Sequence, residues 1–193
     1  MRAKCTLVPP VVVSVILLTS GVSIGTTLLA LNLEEMTRTS DEICTGRVVD
    51  KTSFLKDGRI YTLNDVEVIE NIKGDHTKGT IVEVVTAGGH SELFSQKVFG
   101  APEFEVNETY LLFLEKRGIP DVVHPVGMIQ GALPISVDST THIAKVHPPS
   151  ELPRLLTRDP VDGNFRPSVP WITKTRLLDD VVREIRTIAG GSQ

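Results

Sequence analysis

The chain has 193 residues, 40% of them apolar and 23% charged, the balance of a globular protein and not of a disordered or fibrous one. Its formal net charge of −4 at pH 7 argues against nucleic acid or an anionic lipid surface as a partner, because both demand a strongly basic face. One domain is the natural count, preceded by a short leader.

The leader occupies residues 1–30. Arg2 and Lys4 stand before the apolar run Val11-Val-Val-Ser-Val-Ile-Leu-Leu18, which has the length of a signal-peptide core. Gly21-Val22-Ser23 or Leu28-Leu29-Ala30 offers a cleavage position. The stretch from residue 6 to residue 31 is also long enough, at roughly 20 residues, to span a bilayer, so an uncleaved membrane anchor is the alternative. Both readings export the domain, since the basic residues precede the apolar run and Glu34-Glu35 follow it. Contact with a membrane is then expected only through this segment, if it is retained. Removing it takes Arg2 and Lys4 and no acidic residue, which leaves 18 basic against 24 acidic residues, a charge of −6. Cys5 leaves with the leader. Cys44 is then the one thiol, without a disulfide partner, and reads as a buried inert residue in the first strand.

Residues 31–40 space Leu33 and Met36 to one side, with Asn32 as cap and Glu34 and Glu35 in the first turn, which predicts a short lead-in helix. Two long strand-like runs follow, 43–54 and 60–72. They are joined at Lys56-Asp57-Gly58-Arg59, where Asp-Gly supplies the positive φ of a tight hairpin. Within the second run the apolar set lies on odd positions at Tyr61 and Leu63 and on even positions at Val66 and Val68. That shift predicts a bulge or sharp coil near Asn64-Asp65, or else an exposed strand end at Tyr61 and Leu63. Residues 73–79 read as a polar turn. Residues 80–86 are β-branched at nearly every position and predict a strand buried on most of both faces.

Residues 90–105 show no sustained period and include Gly100 and Pro102, which predicts a long surface connection. Asn107 tolerates a left-handed turn ahead of the five large apolar residues at 110–114. Strand pieces at 122–126 and 128–137 complete about five strands, the number of a small barrel. From residue 141 to residue 172 prolines stiffen an extended segment. Residues 173–188 place Leu177, Leu178, Val181, Val182, Ile185 and Ile188 on one stripe, an amphipathic helix expected to dock on its own domain, with Gly190 and Gly191 as its stop.

A strand of the form CTGRVV, a second ending in VIENIKG, a valine-rich third and a Tyr-Leu-Leu-Phe-Leu strand preceded by a turn together resemble the OB-fold domain of the tissue inhibitors of metalloproteinases (TIMP) and the netrin-like modules. More closely, they resemble uncharacterised exported bacterial proteins with that barrel. The resemblance covers about residues 33–137, and Ile72-Lys73-Gly74 is its sharpest local match. It implies a five-stranded OB-like β-barrel, closed or partly open, with the lead-in helix and the C-terminal helix outside it. It does not carry over zinc-protease inhibition. Those inhibitors chelate the target's zinc through a disulfide-clamped N-terminal cysteine, and no candidate mature N-terminus here begins with one.

Candidate chemistry is sparse. His76, His90, His124, His142 and His147 are scattered over turns and the proline-rich segment. His90 with Glu92, or His142 with His147, could contribute to a metal site, but the tight ligand spacing that zinc prefers is lacking, so solvated histidines are the favoured reading. Ser53, Ser91 and Ser95 lack the Gly-x-Ser-x-Gly frame of an exposed nucleophile. Asp75, Glu105 and Asp121 read as ordinary turn or strand-end carboxylates. Asn107-Glu108-Thr109 is a glycosylation triplet that matters only in a eukaryotic secretory route. Gly88-Gly89 has no helix behind it to make a phosphate site.

The expectation is therefore an exported, non-catalytic binding module without metal or cofactor, engaging an unidentified protein or other ligand through residues 88–105 and the strand faces. The alternatives are an extracytoplasmic metal-dependent hydrolase using His90, Glu92 or His124, and a membrane-tethered structural protein.

Overall fold

The computed structural model of the protein describes residues 27–91, 94–118 and 122–191. Cys5, the apolar run at 11–18 and the Gly21-Val22-Ser23 position lie outside the described residues, as do Glu92 and Asp121. The architecture is mainly β. In chain order it comprises β1 (Thr27–Leu29), α1 (Leu33–Thr39), β2 (Glu42–Lys56), β3 (Arg59–Lys73), β4 (Ile81–Ala87), β5 (Gly89–His90) and β6 (Ser95–Gln96). β7 (Thr109–Lys116), β8 (Val122–Pro125), β9 (Ala132–Val137), β10 (Ala144–Val146), β11 (Arg154–Arg158), β12 (Phe165–Ser168), β13 (Arg176–Leu177) and α2 (Leu178–Gly190) follow. No helix among the described residues is long and apolar enough to cross a membrane.

The main sheet runs β13-β10-β9-β7-β2-β3-β4-β8, and β7 pairs with β8 as well, from Leu114↔Pro125 to Lys116↔Val123. The ladder β2-β3-β4-β8-β7 therefore comes back to β2. Its members pair antiparallel except β4 with β8, which run parallel at Glu83↔Val122 and Val84↔Val123. The hairpin that starts this ladder turns at Asp57 (φ 50) and Gly58 (φ 74), the two positive angles a two-residue turn needs to match strand twist.

β7 explains how the pieces hold together. Tyr110, Leu112 and Leu114 point into one apolar cluster with Cys44, Val48, Val66, Val68, Val82, Val84, Phe104 and Val123. Leu111 and Phe113 point the other way, into a second cluster with Leu33, Met36, Ile43, Leu133, Ile172, Val181 and Ile185. Five large apolar residues in succession are thus the signature of a strand buried on both faces. The second cluster fills the space between the outside of the sheet and the two helices, where the ring of Trp171 meets Phe113 edge-on at 6.0 Å.

α1 begins with a capping box: Asn32 Oδ1 accepts from the Glu35 amide at 2.8 Å and the Glu35 carboxylate accepts from the Asn32 amide at 2.8 Å. α2 buries Val181, Val182 and Ile185 on its own domain, as the stripe predicts. Its first turn lies later than the sequence period suggests. Arg176 and Leu177 pair with β10 as a strand, and Leu177 is exposed, so the helix starts at Leu178.

Other elements also depart from expectation. Residues 128–131 form a 3-10 turn entered through Gly127 and Met128, both at positive φ, so the strand starts only at Ala132. In β4, Ile81 and Glu83 are exposed while Val82 and Val84 are buried, so its first half is covered on one face and not on both. The proline-rich segment carries β11 and β12, which form a hairpin against which β1 lies parallel, Leu28 opposite Leu155. Ala30 N donates to Leu156 O at 2.7 Å and Leu31 N to the Gln130 side chain at 3.1 Å. Leu28-Leu29-Ala30, a cleavage position on sequence grounds, is therefore built into the fold.

Candidate functional site

The inner face of β3 is where sequence periodicity and structure part. Ile60, Thr62, Asn64, Val66 and Val68 are all buried, in one unbroken even phase. No slip occurs at Asn64-Asp65. The irregularity lies across the ladder, where Val49 is the extra residue of β2 between Val48↔Val66 and Asp50↔Asp65. Tyr61 and Leu63 stand on the outer face, Tyr61 stacked on Phe54 at 5.8 Å. Two polar side chains, Thr62 and Asn64, consequently point inward.

They are accommodated because each finds partners. Asn64 Nδ2 donates to Val84 O at 2.9 Å, Thr62 O at 3.2 Å and Thr86 Oγ1 at 3.3 Å. Thr62 Oγ1 donates to Gly88 O at 2.8 Å, which leaves Ser53 Oγ to donate to Thr62 Oγ1 at 3.1 Å. His90 N donates in turn to Ser53 Oγ at 3.3 Å. A polar row thus runs from the interior to the surface, satisfied at each step as buried polar groups require.

The segment after β4 folds over the outer end of this row. Gly88 N donates to Ile60 O at 2.8 Å, and Gln96 Oε1 accepts from Ile60 N at 2.9 Å. Glycine is needed at position 89, where φ is +139 and a Cβ would stand 2.4 Å from Thr62 Oγ1 and 2.5 Å from Ser53 Oγ. The connection at 90–105 is only partly a surface loop, because β5 and β6 pair within it and Phe104 is wholly buried. Phe104 meets Tyr110 edge-on at 4.8 Å, and Tyr110 Oη accepts from Glu105 N at 3.1 Å. Burial pushes the Tyr110 phenol above its ordinary range.

Between the hairpin and this segment lies a cleft of about 400 Å³, with Lys51, Asn64, Thr86, His90, Gln96 and Glu103 among its lining. Lys51 Nζ donates to Phe104 O, and a bond of 3.1 Å and a pairing of 3.5 Å tie Lys97 to Glu151 and Glu103. The hydrogen bond that Lys97 donates to Glu151, with the charges of Glu103 and Glu151, raises the Lys97 ammonium above its usual range. A second cavity of about 260 Å³ adjoins it across Ala101 and Pro102. The interior polar groups are spent on one another, and the charged groups sit at the rim, an arrangement that can receive a ligand and orient it.

The histidines lie apart in role. His90 is exposed at the rim, His124 Nδ1 lies 3.2 Å from Val85 O, and His142 is exposed at φ 55. Both ring nitrogens of His147 are engaged, with Ser136 Oγ at 2.6 Å and Thr175 Oγ1 at 3.0 Å. Among the described residues no group of three or more histidine, cysteine or acidic side chains is placed to hold a metal; Glu92 lies outside them. Ser91 Oγ donates to Phe94 O at 2.9 Å, Ser95 belongs to β6, and Ser53 is held in the polar row.

Sequence reasoning missed Glu42. Its side chain, 3% exposed, is paired with Lys116 at 2.9 Å and with His76. That hydrogen bond and charge raise the Lys116 ammonium above its usual value. The resembling Ile72-Lys73-Gly74 serves the same corner. Lys73 Nζ donates to Thr37 O at 2.8 Å and Ser40 O at 2.5 Å, closing the end of α1, while Gly74 (φ 101) leaves room for Glu42, whose Cγ would stand 2.9 Å from a Cβ. The corner is a structural clasp of the chain entry, the 74–79 turn and the end of β7. No protein-family model and no curated protein matches the chain.

Proposed function

We propose that the protein is an exported, non-catalytic binding module built on an OB-like barrel. Support for the barrel is the pairing order β2-β3-β4-β8-β7-β2, with β4 and β8 as the parallel pair. A five-stranded barrel, closed or partly open, is what the resemblance to TIMP and netrin-like domains implies. Support for export is the leader, with its basic start and apolar core at 11–18.

The observation that carries the binding role is the cleft over the inner face of β3. The chain turns back on itself at Gly88-Gly89 to roof a polar row that a plain apolar core would not contain. Lys51, His90, Gln96 and Glu103 surround the opening, as orienting groups around a mostly preformed site do. The test replaces residues 90–96 with a short Gly-Ser bridge, with near-UV circular dichroism as the folding control. Affinity capture from the native envelope or medium then loses the partner that the unaltered chain retains. Undiminished capture places the site elsewhere, and turnover of any substrate ends the non-catalytic reading.

A further inference from the structure

β7 faces β2 only from Glu42↔Leu114 to Arg47↔Thr109, after which Val48 exchanges hydrogen bonds with Asn107 and Glu108. Past that point β2 continues from Asp50 to Lys56, paired with β3 on one side. Among the described residues no strand pairs with its other edge. Seven residues of extended backbone, about 23 Å at 3.3 Å per residue, are thus left with one side open. Such an edge is a template for another strand.

The charges on this edge say which strand fits. Even-numbered residues here share the outer face, the face of Phe54 stacked on Tyr61. On that face Asp50 lies opposite Asp65, and Asp65 opposite Glu83, three like charges in adjacent positions across the sheet. Among the described residues none of the three has a hydrogen bond or ion pair with a cation. Like charges directly opposed across strands are destabilising, so Asp50 lacks a cation at its open side. Lys56, six residues along on the same face, is equally unpaired among the described residues. Laying the edge antiparallel on a copy of itself about a twofold axis at Ser53 puts Asp50 beside Lys56 of the second copy, twice, and Thr52 beside Phe54, twice. The edge is self-complementary in that one register.

We propose that the protein self-associates through the open edge of β2, residues 50–56, with a second copy of this chain as the occupant. The symmetry is the closed twofold kind in which one patch meets itself. The contact is small, so the association is weak and salt-sensitive.

Sedimentation equilibrium of the full chain in detergent tests it with Asp50→Lys and Lys56→Asp. Each variant alone places like charges together twice and weakens dimerisation at least tenfold. An equimolar mixture of the two restores both attractive pairs and forms a heterodimer within about threefold of the unaltered affinity. The double variant, Asp50→Lys with Lys56→Asp, recovers likewise. Both positions of change are exposed, and far-UV circular dichroism confirms that the fold is kept. A chain that stays monomeric at the highest attainable concentration overturns the proposal. So does a dimer whose affinity neither charge reversal moves, as leader-driven association would give, and so does a mixture that fails to recover.

Discussion

Replacing Asn64 by aspartate is the sharpest probe of the inward-facing polar row. Asn64 is 1% exposed, and its Nδ2 donates to two carbonyl oxygens and a hydroxyl. The one cation opposite, Lys51, is already engaged by Phe104 O and Glu105, and an ionised carboxylate at 64 would face the carbonyl oxygens of Val84 and Thr62, so the introduced group folds in its protonated form. Taking up a proton at pH 7 on a group of ordinary pKa about 3.9 costs about 4 kcal/mol, at 1.36 kcal/mol per unit. A carboxylic acid donates one hydrogen where the amide has two, and the lost bond costs about 1 kcal/mol. Asn64→Asp should therefore destabilise by about 5 kcal/mol at pH 7, a large part of the stability of an ordinary domain.

The sign of the pH dependence follows. The introduced carboxyl keeps its proton in the folded state and loses it in the unfolded state, so the variant weakens as pH rises above about 4. Between pH 5 and pH 7 the gap to the unaltered protein widens by about 2.7 kcal/mol, from two units at 1.36 kcal/mol each. Urea unfolding of both proteins at the two pH values measures it, and the difference cancels every other titration. A cost below about 1 kcal/mol, or one independent of pH, would falsify the inward placement of Asn64 and return it to the bulge or sharp coil near Asn64-Asp65 that periodicity suggests.

Two further outcomes follow from burial. Gly131→Ala puts a Cβ 2.3 Å from Val126 O and 2.7 Å from Val126 N, backbone atoms that cannot swing aside, so it should cost about 3 kcal/mol and lower the melting temperature by thermal unfolding. Cys44 is pushed up to about 12 by burial and then by the charge of Glu42, so the folded thiol should stay silent to a charged disulfide reagent at pH 9 and react in urea; rapid labelling without denaturant refutes this. Because the folded thiol keeps a proton that the unfolded chain releases near 9.0, this group makes stability fall, and not rise, as pH passes that value.

Short-range chemistry was readable from the chain. Asp57-Gly58 marks its turn because few other residues accept two positive φ angles in a row, and Asn32 with Glu35 marks a helix start by the bonds the two side chains can make. The run at 110–114 and the stripe at 178–185 were visible because burial there demands large apolar residues. The polar row was not, since Thr62 and Asn64 look solvent-facing until Thr86, Gly88 and Ser53 arrive from other strands. Glu42 was hidden for the same reason: its partners lie 34 and 74 positions away, at His76 and Lys116. The late start of α2 escaped because Leu177 continues the helical spacing while its backbone is taken by Lys145.

The double duty of β7 has a consequence for how the molecule comes apart. A wall common to two rooms cannot be removed from one of them alone, so loosening either side of residues 110–114 opens both. Heating should reveal a single sharp event and not a staircase, with the helices and the strand ring letting go together.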